Sequence, residues 1–313
     1  MEELICYYNG DFMKASEVKV SMWDMSFTRG AGVYDMARSY KHVPLFWKEH
    51  IDRLYRGLRC VHIDPGLTPE QMLSLTYEVF ERNKKSLDPE DDFMMAQWVN
   101  LGAPTNFFSK PIRPNVLINC LHLSPRYEGF AKNYQEGIHL VVVNTRQIPP
   151  QSFDVKVKHT SRWCNELAEF EAKMVDPEAL ALMLDINGLV AEGPTFNCFM
   201  VKDSKLFTPK LGNILEGVTR NTLLRLAKEV GIESVEKDLY VYDLYNADEI
   251  FITNTSPTIR PVSKFNEKVL PKPIPGPIAQ QLLSAFSELV GFDIVQHVIN
   301  YVHAKRKGMR IKC

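Results

Sequence analysis

The sequence lacks a paired-cysteine motif, an excess of charge of one sign, and a long apolar run. Its six cysteines are scattered without a CxxC pair, which favours reduced thiols over a disulfide framework or a zinc site. Its 37 basic and 38 acidic residues nearly cancel, so no strong field is available to hold a polyanion. We therefore expect small-molecule ligands, and neither a metal, a nucleic acid nor a membrane as partner.

The chain also lacks the marks of a targeting or membrane-spanning segment. The first residues, MEELICYYNGDF, carry acids where a secretory signal carries bases, and no later apolar stretch is long enough to cross a bilayer. We therefore expect a soluble, cytoplasmic protein. With 313 residues and 45% apolar residues, the chain can build two linked hydrophobic cores.

The first part of the chain alternates β-type runs with helical patterns, so we predict an N-terminal α/β domain over residues 1–122. Apolar residues at helical spacing predict helices over Trp47–Arg59 and Pro69–Lys84. Short apolar runs predict strands over Phe93–Leu101 and Asn115–Leu121. The fold class is α/β (α+β).

The second part begins after SPRYEGFAKNYQEG, a polar stretch with turn formers, and we predict an interdomain connection over residues 123–136. A C-terminal α/β domain then covers residues 137–313, starting with the strand IHLVVVNT. It should contain a helix over Ser161–Met174, a hairpin with its turn at Asp185–Gly188, and a helix over Val218–Val230.

Lys158 is a candidate functional lysine because it follows the β-type run DVKVK and precedes the pair Thr160-Ser161, which is suited to begin a helix. This position places it at the rim of a sheet. An exposed lysine at a strand end is the alternative. Lys156 and Lys173 lie close enough in sequence that position alone leaves the choice open.

Two segments offer donors for an anion. In ILEGVTRNTLLRLAKEVG a Gly-Val-Thr turn opens a helix, and the first N–H groups of a helix are free to bind phosphate. In FITNTSP, three hydroxyl residues stand at the end of an apolar strand: Thr253, Thr255 and Ser256. An ordinary threonine-containing helix start is the alternative for the first segment.

Glu192 and Arg53 are candidate charged groups within apolar surroundings. Glu192 ends an apolar strand in LVAEGPTFN, and a buried acid needs a cationic partner. A half-exposed glutamate at a hairpin end is the alternative. Arg53 shares its helix with His50 and Arg56, so a solvated basic face is the default interpretation of this pattern.

Taken in order, these motifs resemble the class IV, or fold-type IV, aminotransferases that depend on pyridoxal 5'-phosphate (PLP). The resemblance covers nearly the whole chain, and its blocks are GAGVYD with FWKEHIDRL, KHTSRWCNELAEFEAK, LVAEGPTFNCFMVKD, LFTPKLGNILEGVTR and ADEIFITNTSPTIRPV. It implies the two-domain fold of the D-amino-acid aminotransferases, with PLP on the C-terminal domain. It also implies a homodimer.

The resemblance gives roles to the candidate residues. Lys158 becomes the Schiff-base lysine and the proton shuttle between the substrate Cα and the cofactor C4'. Glu192 faces the pyridine nitrogen and keeps it protonated. The other implied cofactor residues contact the phosphate (Arg53, Val218, Thr219 and Thr255) or the ring (Leu215 and Trp163).

Around the substrate, the chain departs from each branch of the family. Arg162-Trp163 replaces the Asn-Tyr pair of the branched-chain enzymes, so an indole stands where a phenol would bond the ring oxygen. The Arg-x-His carboxylate trap of the D-amino-acid enzymes has no counterpart in VNLGAPTNFF. The (R)-amine enzymes have their aromatic residue one place nearer the lysine. The predicted substrate pocket consists of Arg29, Tyr34, Trp98 and Ser256.

We accordingly predict an aminotransferase that moves an amino group between a branched or apolar L-amino acid and a 2-oxo acid. Arg29 is either a carboxylate-binding residue or part of a surface ion pair. Alternatives for the whole chain are a D-amino-acid or (R)-amine transaminase, an aminodeoxychorismate lyase, which shares the fold and the lysine, and a degenerate scaffold without activity.

Overall fold

The structure is a computed structural model that describes residues 3–105, 109 and 113–307. It divides into two compact units. The first unit comprises the chain up to Pro125 together with Val157–Arg162, and the second comprises Arg126–Lys156 and the chain from Trp163 onward. Lys158 therefore belongs to the first unit, whereas the predicted domain boundaries assign it to the second domain.

The described strands of the first unit form one sheet with antiparallel neighbours, in the order β2-β1-β6-β5-β3-β4. In chain order its elements are β1 (Ile5–Tyr8), β2 (Asp11–Lys14), α1 (Met25–Arg29), β3 (Gly32–Tyr40), β4 (Val43–Pro44), α2 (Trp47–Cys60), α3 (Pro69–Asn83), β5 (Phe93–Asn100) and β6 (Asn115–His122). The predicted spans of α2, α3, β5 and β6 agree with these bounds to within one residue.

The two longer helices of the first unit form for reasons that are visible in the sequence. Helix α3 begins at Pro69 after Thr68, whose side-chain oxygen accepts a hydrogen bond from the backbone N–H of Gln71, while the Gln71 side chain accepts one from the Thr68 N–H. Helix α2 buries one face against β3. A Cβ on Gly57 would lie 3.1 Å from Val33 Cγ1, so this glycine permits the close approach.

The second unit contains a larger mixed sheet in which β12-β11-β10-β13-β14-β7-β8 are neighbours, β15 pairs with β14, and β9 pairs with β10. Its elements are α4 (Tyr127–Glu136), β7 (Ile138–Arg146), α5 (Trp163–Val175), β8 (Leu180–Leu184), β9 (Glu192–Gly193), β10 (Phe196–Lys202), β11 (Lys205–Thr208), α6 (Val218–Glu229), β12 (Ser234–Glu236), α7 (Val241–Tyr245), β13 (Glu249–Asn254), β14 (Thr258–Phe265), β15 (Lys268–Val269), α8 (Pro277–Val290) and α9 (Ile294–Arg306).

Helix α4 lies within the stretch over residues 123–136 that the sequence analysis describes as a polar connection, and the structure gives most of this stretch a helix with a buried face. Its buried side chains are Tyr127, Phe130, Ala131 and Tyr134. Their spacing of three, one and three residues is that of a helix with one buried face. The mixture of strands and helices in both units confirms the α/β class.

The hairpin in the second unit turns at the predicted residues. Asp185 Oδ1 accepts hydrogen bonds from the N–H groups of Asn187 and Leu189, and Gly188 has a positive φ of 81°. These bonds fix the chain that leads from β8 into β9. Within the described ranges, no single helix is long and apolar enough to span a bilayer.

Candidate active site

In the first unit, the lysine segment is held against the start of β3. The N–H of Tyr34 donates to the carbonyl oxygen of Lys158 at 2.9 Å, and the N–H of Thr160 donates to that of Gly32 at the same distance. Val33 and His159 form an antiparallel bridge between these two bonds. The segment therefore adds a short strand to β3, which explains why Lys158 groups with the first unit.

The Lys158 side chain extends over an aromatic pair. Its Nζ lies 4.8 Å from the centroid of the Tyr34 ring. The Tyr34 ring in turn stacks on Trp98, with 4.6 Å between centroids and 14° between planes. Trp98 Nε1 donates to Asn119 Oδ1 at 3.1 Å. The structure thus brings together three of the predicted residues, Lys158, Tyr34 and Trp98.

The two competing lysines have different surroundings. Lys156 is exposed and forms an ion pair with Asp154 at 3.2 Å. Lys173 is exposed on α5. Lys158, in contrast, is partly buried and backbone-paired with β3. Of the three lysines, Lys158 alone has its amine directed at an aromatic ring in this part of the structure.

Arg53 lies in a buried charge cluster with two residues that the sequence analysis did not assign to the site. Its Nε and Nη2 donate to the two carboxylate oxygens of Asp35 at 2.8 and 2.7 Å. His50 Nδ1 donates to Asp35 Oδ1 at 2.7 Å. All three residues are at most 5% exposed. The bidentate geometry fixes the guanidinium plane.

The contacts within this cluster shift the pKa values of Asp35 and His50. Burial alone raises the pKa of Asp35, but the positive Arg53 guanidinium and the His50 ring outweigh it, so the pKa of this carboxyl lies well below its usual range. Burial lowers the pKa of His50, and the cations Arg53 and Lys158 lower it further, although Asp35 opposes them. The cluster therefore pairs one carboxylate with one guanidinium around a neutral imidazole.

In the second unit, Glu192 is a buried carboxylate with both oxygens held. Its Oε1 accepts from Gln147 Nε2 at 2.8 Å, and its Oε2 accepts from Asn197 Nδ2 at 2.9 Å and from the Leu215 N–H at 3.0 Å. The residue is 7% exposed, so Glu192 is a buried acid and not the half-exposed glutamate of the alternative. Three donors aimed at one carboxylate fix its orientation.

The start of α6 lies directly beside this carboxylate. Asn197 Nδ2 also donates to the Leu215 carbonyl oxygen at 3.0 Å. A Cβ on Gly217 would lie 2.1 Å from Asn197 Oδ1, so only glycine fits between that amide and the helix. Val218 and Thr219 are the first two residues of α6, where backbone N–H groups have no partner within the helix.

The hairpin between β13 and β14 is the third part of the arrangement in the second unit. Asn197 is the register partner of both Glu192 on β9 and Thr253 on β13. Thr255 and Ser256 follow in the turn, with Ser256 5% exposed. The Thr253 hydroxyl instead donates to the Thr258 carbonyl oxygen, so it serves the hairpin.

Two predicted residues are exposed, each in its own unit. Arg29 is exposed at the end of α1. Trp163 is 74% exposed at the start of α5. Their predicted contacts with substrate and cofactor remain predictions.

Each unit also contains residues beside the predicted ones that sequence reasoning missed: Asp35, His50 and Asn119 in the first unit, and Gln147 and Asn197 in the second. A signal existed for Asp35, since it is an acid within the apolar strand GVYDMARSY. A signal of the same kind pointed to Glu192. Nothing in the local sequence marks Gln147 or Asn119, because their partners are distant along the chain.

Comparison with known proteins places this geometry in a family. The sequence pattern of the family described as amino-transferase class IV matches residues 32–265. A putative branched-chain-amino-acid aminotransferase from Methanocaldococcus jannaschii is 34% identical over 286 residues, which cover 90% of this chain and 95% of the relative. A D-alanine aminotransferase from Bacillus licheniformis is 26% identical over 285 residues, which cover 90% of this chain and 96% of that relative.

Solved structures agree with this result. The branched-chain aminotransferase from Thermoproteus uzoniensis with norvaline matches with a TM-score of 0.81 at 25% identity, over 95% of this chain and 98% of that one. This likeness confirms the predicted fold type IV. The chain therefore belongs to the class IV amino-transferase family and is a transaminase of the PLP-dependent class.

Proposed function

We propose that this enzyme binds PLP through the residues described above and transfers the amino group of a branched or apolar L-amino acid to a 2-oxo acid. The observation that carries the cofactor assignment is the fixed carboxylate of Glu192. A carboxylate that is buried and held by three donors is suited to accept a hydrogen bond from a protonated ring nitrogen. When bound, PLP supplies an electron sink for the carbanion at the substrate Cα.

The remaining donors suit a phosphate. The first N–H groups of α6, at Val218 and Thr219, offer hydrogen bonds and the positive end of a helix dipole. We propose that these N–H groups, Thr255 and Arg53 bind the phosphate of the cofactor. The Leu215 side chain and the Trp163 ring are assigned to the cofactor ring.

Lys158 has two tasks in this proposal. Its amine would hold the cofactor covalently and, when free, would move a proton between the substrate Cα and C4' of the cofactor. The pairing of its backbone with β3 keeps the base of the side chain in place for both tasks.

The identity of the amino donor is supported by relatives and by the pocket residues. The M. jannaschii and T. uzoniensis proteins are named as branched-chain aminotransferases. Tyr34 and Trp98 offer aromatic surface to an apolar side chain. We further propose a cytoplasmic enzyme, because the cysteines among the described residues are free, which suits a reducing compartment: Cys6, Cys60, Cys120, Cys164 and Cys198.

A panel of amino donors tests the substrate assignment. We expect kcat/KM with 2-oxoglutarate to be highest for L-leucine, L-isoleucine and L-valine, and at least roughly tenfold lower for D-alanine and (R)-amines, the scale of one poorly filled apolar pocket. Chiral chromatography of the products reports the hand of the amino acid consumed. Faster turnover of D-alanine than of any L-amino acid would contradict the proposal.

A D-amino-acid transaminase is the second candidate. It is supported by the D-alanine aminotransferase relative and by Arg29, whose exposed guanidinium could bind a carboxylate. The same panel separates the two candidates. If D-amino acids were preferred, Arg29→Ala should raise KM for the donor more than it lowers kcat.

We also propose that the enzyme is a homodimer with α5 in the interface. Ala168 and Ala172 bury the inner side of this helix. One helical stripe on its other side, here called the α5 outer face, is apolar and 50–79% exposed: Leu167, Phe170 and Met174. Contiguous exposed apolar surface marks an interaction site, and a second copy presents the same face to it in a two-fold dimer.

Charge on the α5 outer face should weaken the dimer. We expect the double variant Leu167→Glu/Phe170→Glu to raise the dimer dissociation constant at least roughly thirty-fold, because buried apolar anchors contribute about 2 kcal/mol or more. Sedimentation equilibrium measures the change. Val269→Glu, at a residue that is 72% exposed on β15, is the matched control and should leave the constant unchanged. A double variant with the wild-type constant would exclude this face.

A further inference from the structure

We propose that Tyr34 is a positioning residue for the amine of Lys158, and that Trp98 and Asn119 hold the Tyr34 ring in the required orientation. The inference rests on the role of Lys158 in the proposed function. It goes further by identifying what holds the amine when it is not bonded to the cofactor.

The backbone contacts fix the relative position of the two residues. The Tyr34 N–H donates to the Lys158 carbonyl oxygen at 2.9 Å. The side chains therefore start from two paired strands, and Nζ reaches a point 4.8 Å from the ring centroid. This distance lies within the range of about 6 Å over which a cation is attracted to the face of an aromatic ring.

The ring itself cannot turn freely. Tyr34 is 7% exposed and stacks on Trp98 at 4.6 Å, and the two are register partners on β3 and β5. Trp98 Nε1 is held by Asn119 Oδ1 on β6. One line of contacts thus crosses three neighbouring strands and ends at the lysine amine.

This arrangement meets a requirement of the proposed chemistry. A lysine amine sits on a flexible four-carbon stem, and proton transfer needs it within hydrogen-bond reach of the reacting atoms. The protonated amine is attracted to the ring face, so Tyr34 keeps it in place between accepting and returning the proton. The ring face does this without the hydroxyl, so phenylalanine should substitute for Tyr34.

The position of the amine can be measured without cofactor. The full-length, cofactor-free protein is reductively methylated with ¹³C-formaldehyde, and the Lys158 methyl signal is assigned by its absence in Lys158→Arg. We expect the ring current of Tyr34 to shift this signal upfield of the Lys156 signal. The shift should persist in Tyr34→Phe, vanish in Tyr34→Leu and decrease in Trp98→Leu and Asn119→Leu.

Tyr77→Leu is the matched control, because Tyr77 is a partly exposed tyrosine that lies 5.0 Å from Trp47 in the same unit. It should leave the Lys158 signal unchanged. In the PLP-loaded enzyme, single-turnover conversion of the amino donor should slow roughly tenfold in Tyr34→Leu, the scale of a desolvated cation–π contact. Tyr34→Phe keeps the ring face, so it should slow this step less than Tyr34→Leu does.

The inference would be overturned if the Lys158 methyl signal of the wild type had the same chemical shift as the Lys156 signal. It would also be overturned if the upfield shift of the Lys158 signal persisted in Tyr34→Leu. The wild-type spectrum can overturn the inference even if Tyr34→Leu fails to fold, because an unshifted Lys158 signal would show that the amine does not lie over the ring. Failure of the proposed function would look different. The enzyme would then show no borohydride-sensitive PLP band, while the upfield shift of the Lys158 methyl signal would remain.

Discussion

Lys158→Ala is expected to remove both the covalent attachment of PLP and nearly all transaminase activity. Purified wild-type enzyme should show a visible absorption band that borohydride bleaches, and Lys158→Ala should show none after reconstitution with PLP. Because the same amine also moves the proton, and general acid–base catalysis contributes about 10²–10⁴-fold, we expect kcat/KM to fall at least roughly 10³-fold.

Lys156→Ala is the matched control for this result, since Lys156 lies two residues away and is paired with Asp154 on the surface. It should keep the band and the activity. Mass spectrometry of the borohydride-treated wild type should find the reduced adduct on the peptide that contains Lys158. An equally reducible band in Lys158→Ala would refute the assignment of Lys158 as the lysine that binds PLP. Loss of the band in Lys156→Ala would instead identify Lys156 as that lysine.

Some of the fold follows from local sequence signals alone. Helix α3 has its start encoded by Thr68, Pro69 and Gln71, whose contacts need no distant partner. Helix α2 shows a clear apolar period, and the structure buries that face. Elements of this kind are predictable because local propensity and the buried face agree.

Helix α4 shows where the sequence-based prediction failed although a signal was present. Glu128, Gly129 and Lys132 suggested a polar connection, yet Tyr127 and Tyr134 stand seven residues apart on one face. Burial of that aromatic face outweighs the weak helix propensity of the glycine. For this stretch, the helical spacing of the apolar residues is a better guide to the structure than its polar composition.

The position of Lys158 within the fold could not be read from its own neighbourhood. The segment after DVKVK resembles the start of a second-domain helix, but its partner is β3, more than a hundred residues earlier. Backbone pairing over such a distance leaves no periodic trace in either segment. The same limit applies to Gln147, whose amide meets Glu192 only in the folded chain.

The charge cluster of the first unit was missed, and it leads to the largest effect on stability that we expect. Asp35 is fully buried and accepts two bonds from Arg53 and one from His50. Asp35→Ala leaves a buried guanidinium without this carboxylate. Breaking a buried pair by removing one partner costs about 3–5 kcal/mol, so the free energy of unfolding of the cofactor-free protein should fall by that amount in urea titrations followed by circular dichroism.

The exposed pair of Asp154 and Lys156 provides the control, because Asp154→Ala removes a similar charge whose side chain is 36% exposed. That variant should lose less than about 1 kcal/mol. If Arg53 also binds the PLP phosphate, Asp35→Ala should weaken PLP binding as well, because the guanidinium loses the contact that orients it. A stability loss as small as that of Asp154→Ala would show that the cluster has little effect on stability.

The pH dependence of this stability difference has a definite sign. The pKa of Asp35 is lower in the folded chain than its unfolded value of about 3.9. Its contribution is therefore fully present above about pH 4 and is lost as the pH falls through the folded value, where the carboxylate takes up a proton. Between about pH 7 and about pH 5 the difference should change only through His50, whose pKa Asp35 raises against burial, and below about pH 4 it should shrink as Asp35 takes up a proton. A difference that grows as the pH falls below about 4, the range in which Asp35 itself titrates, would mean that Asp35 is protonated in the folded enzyme, and the ion pair with Arg53 could not then be what stabilises this cluster.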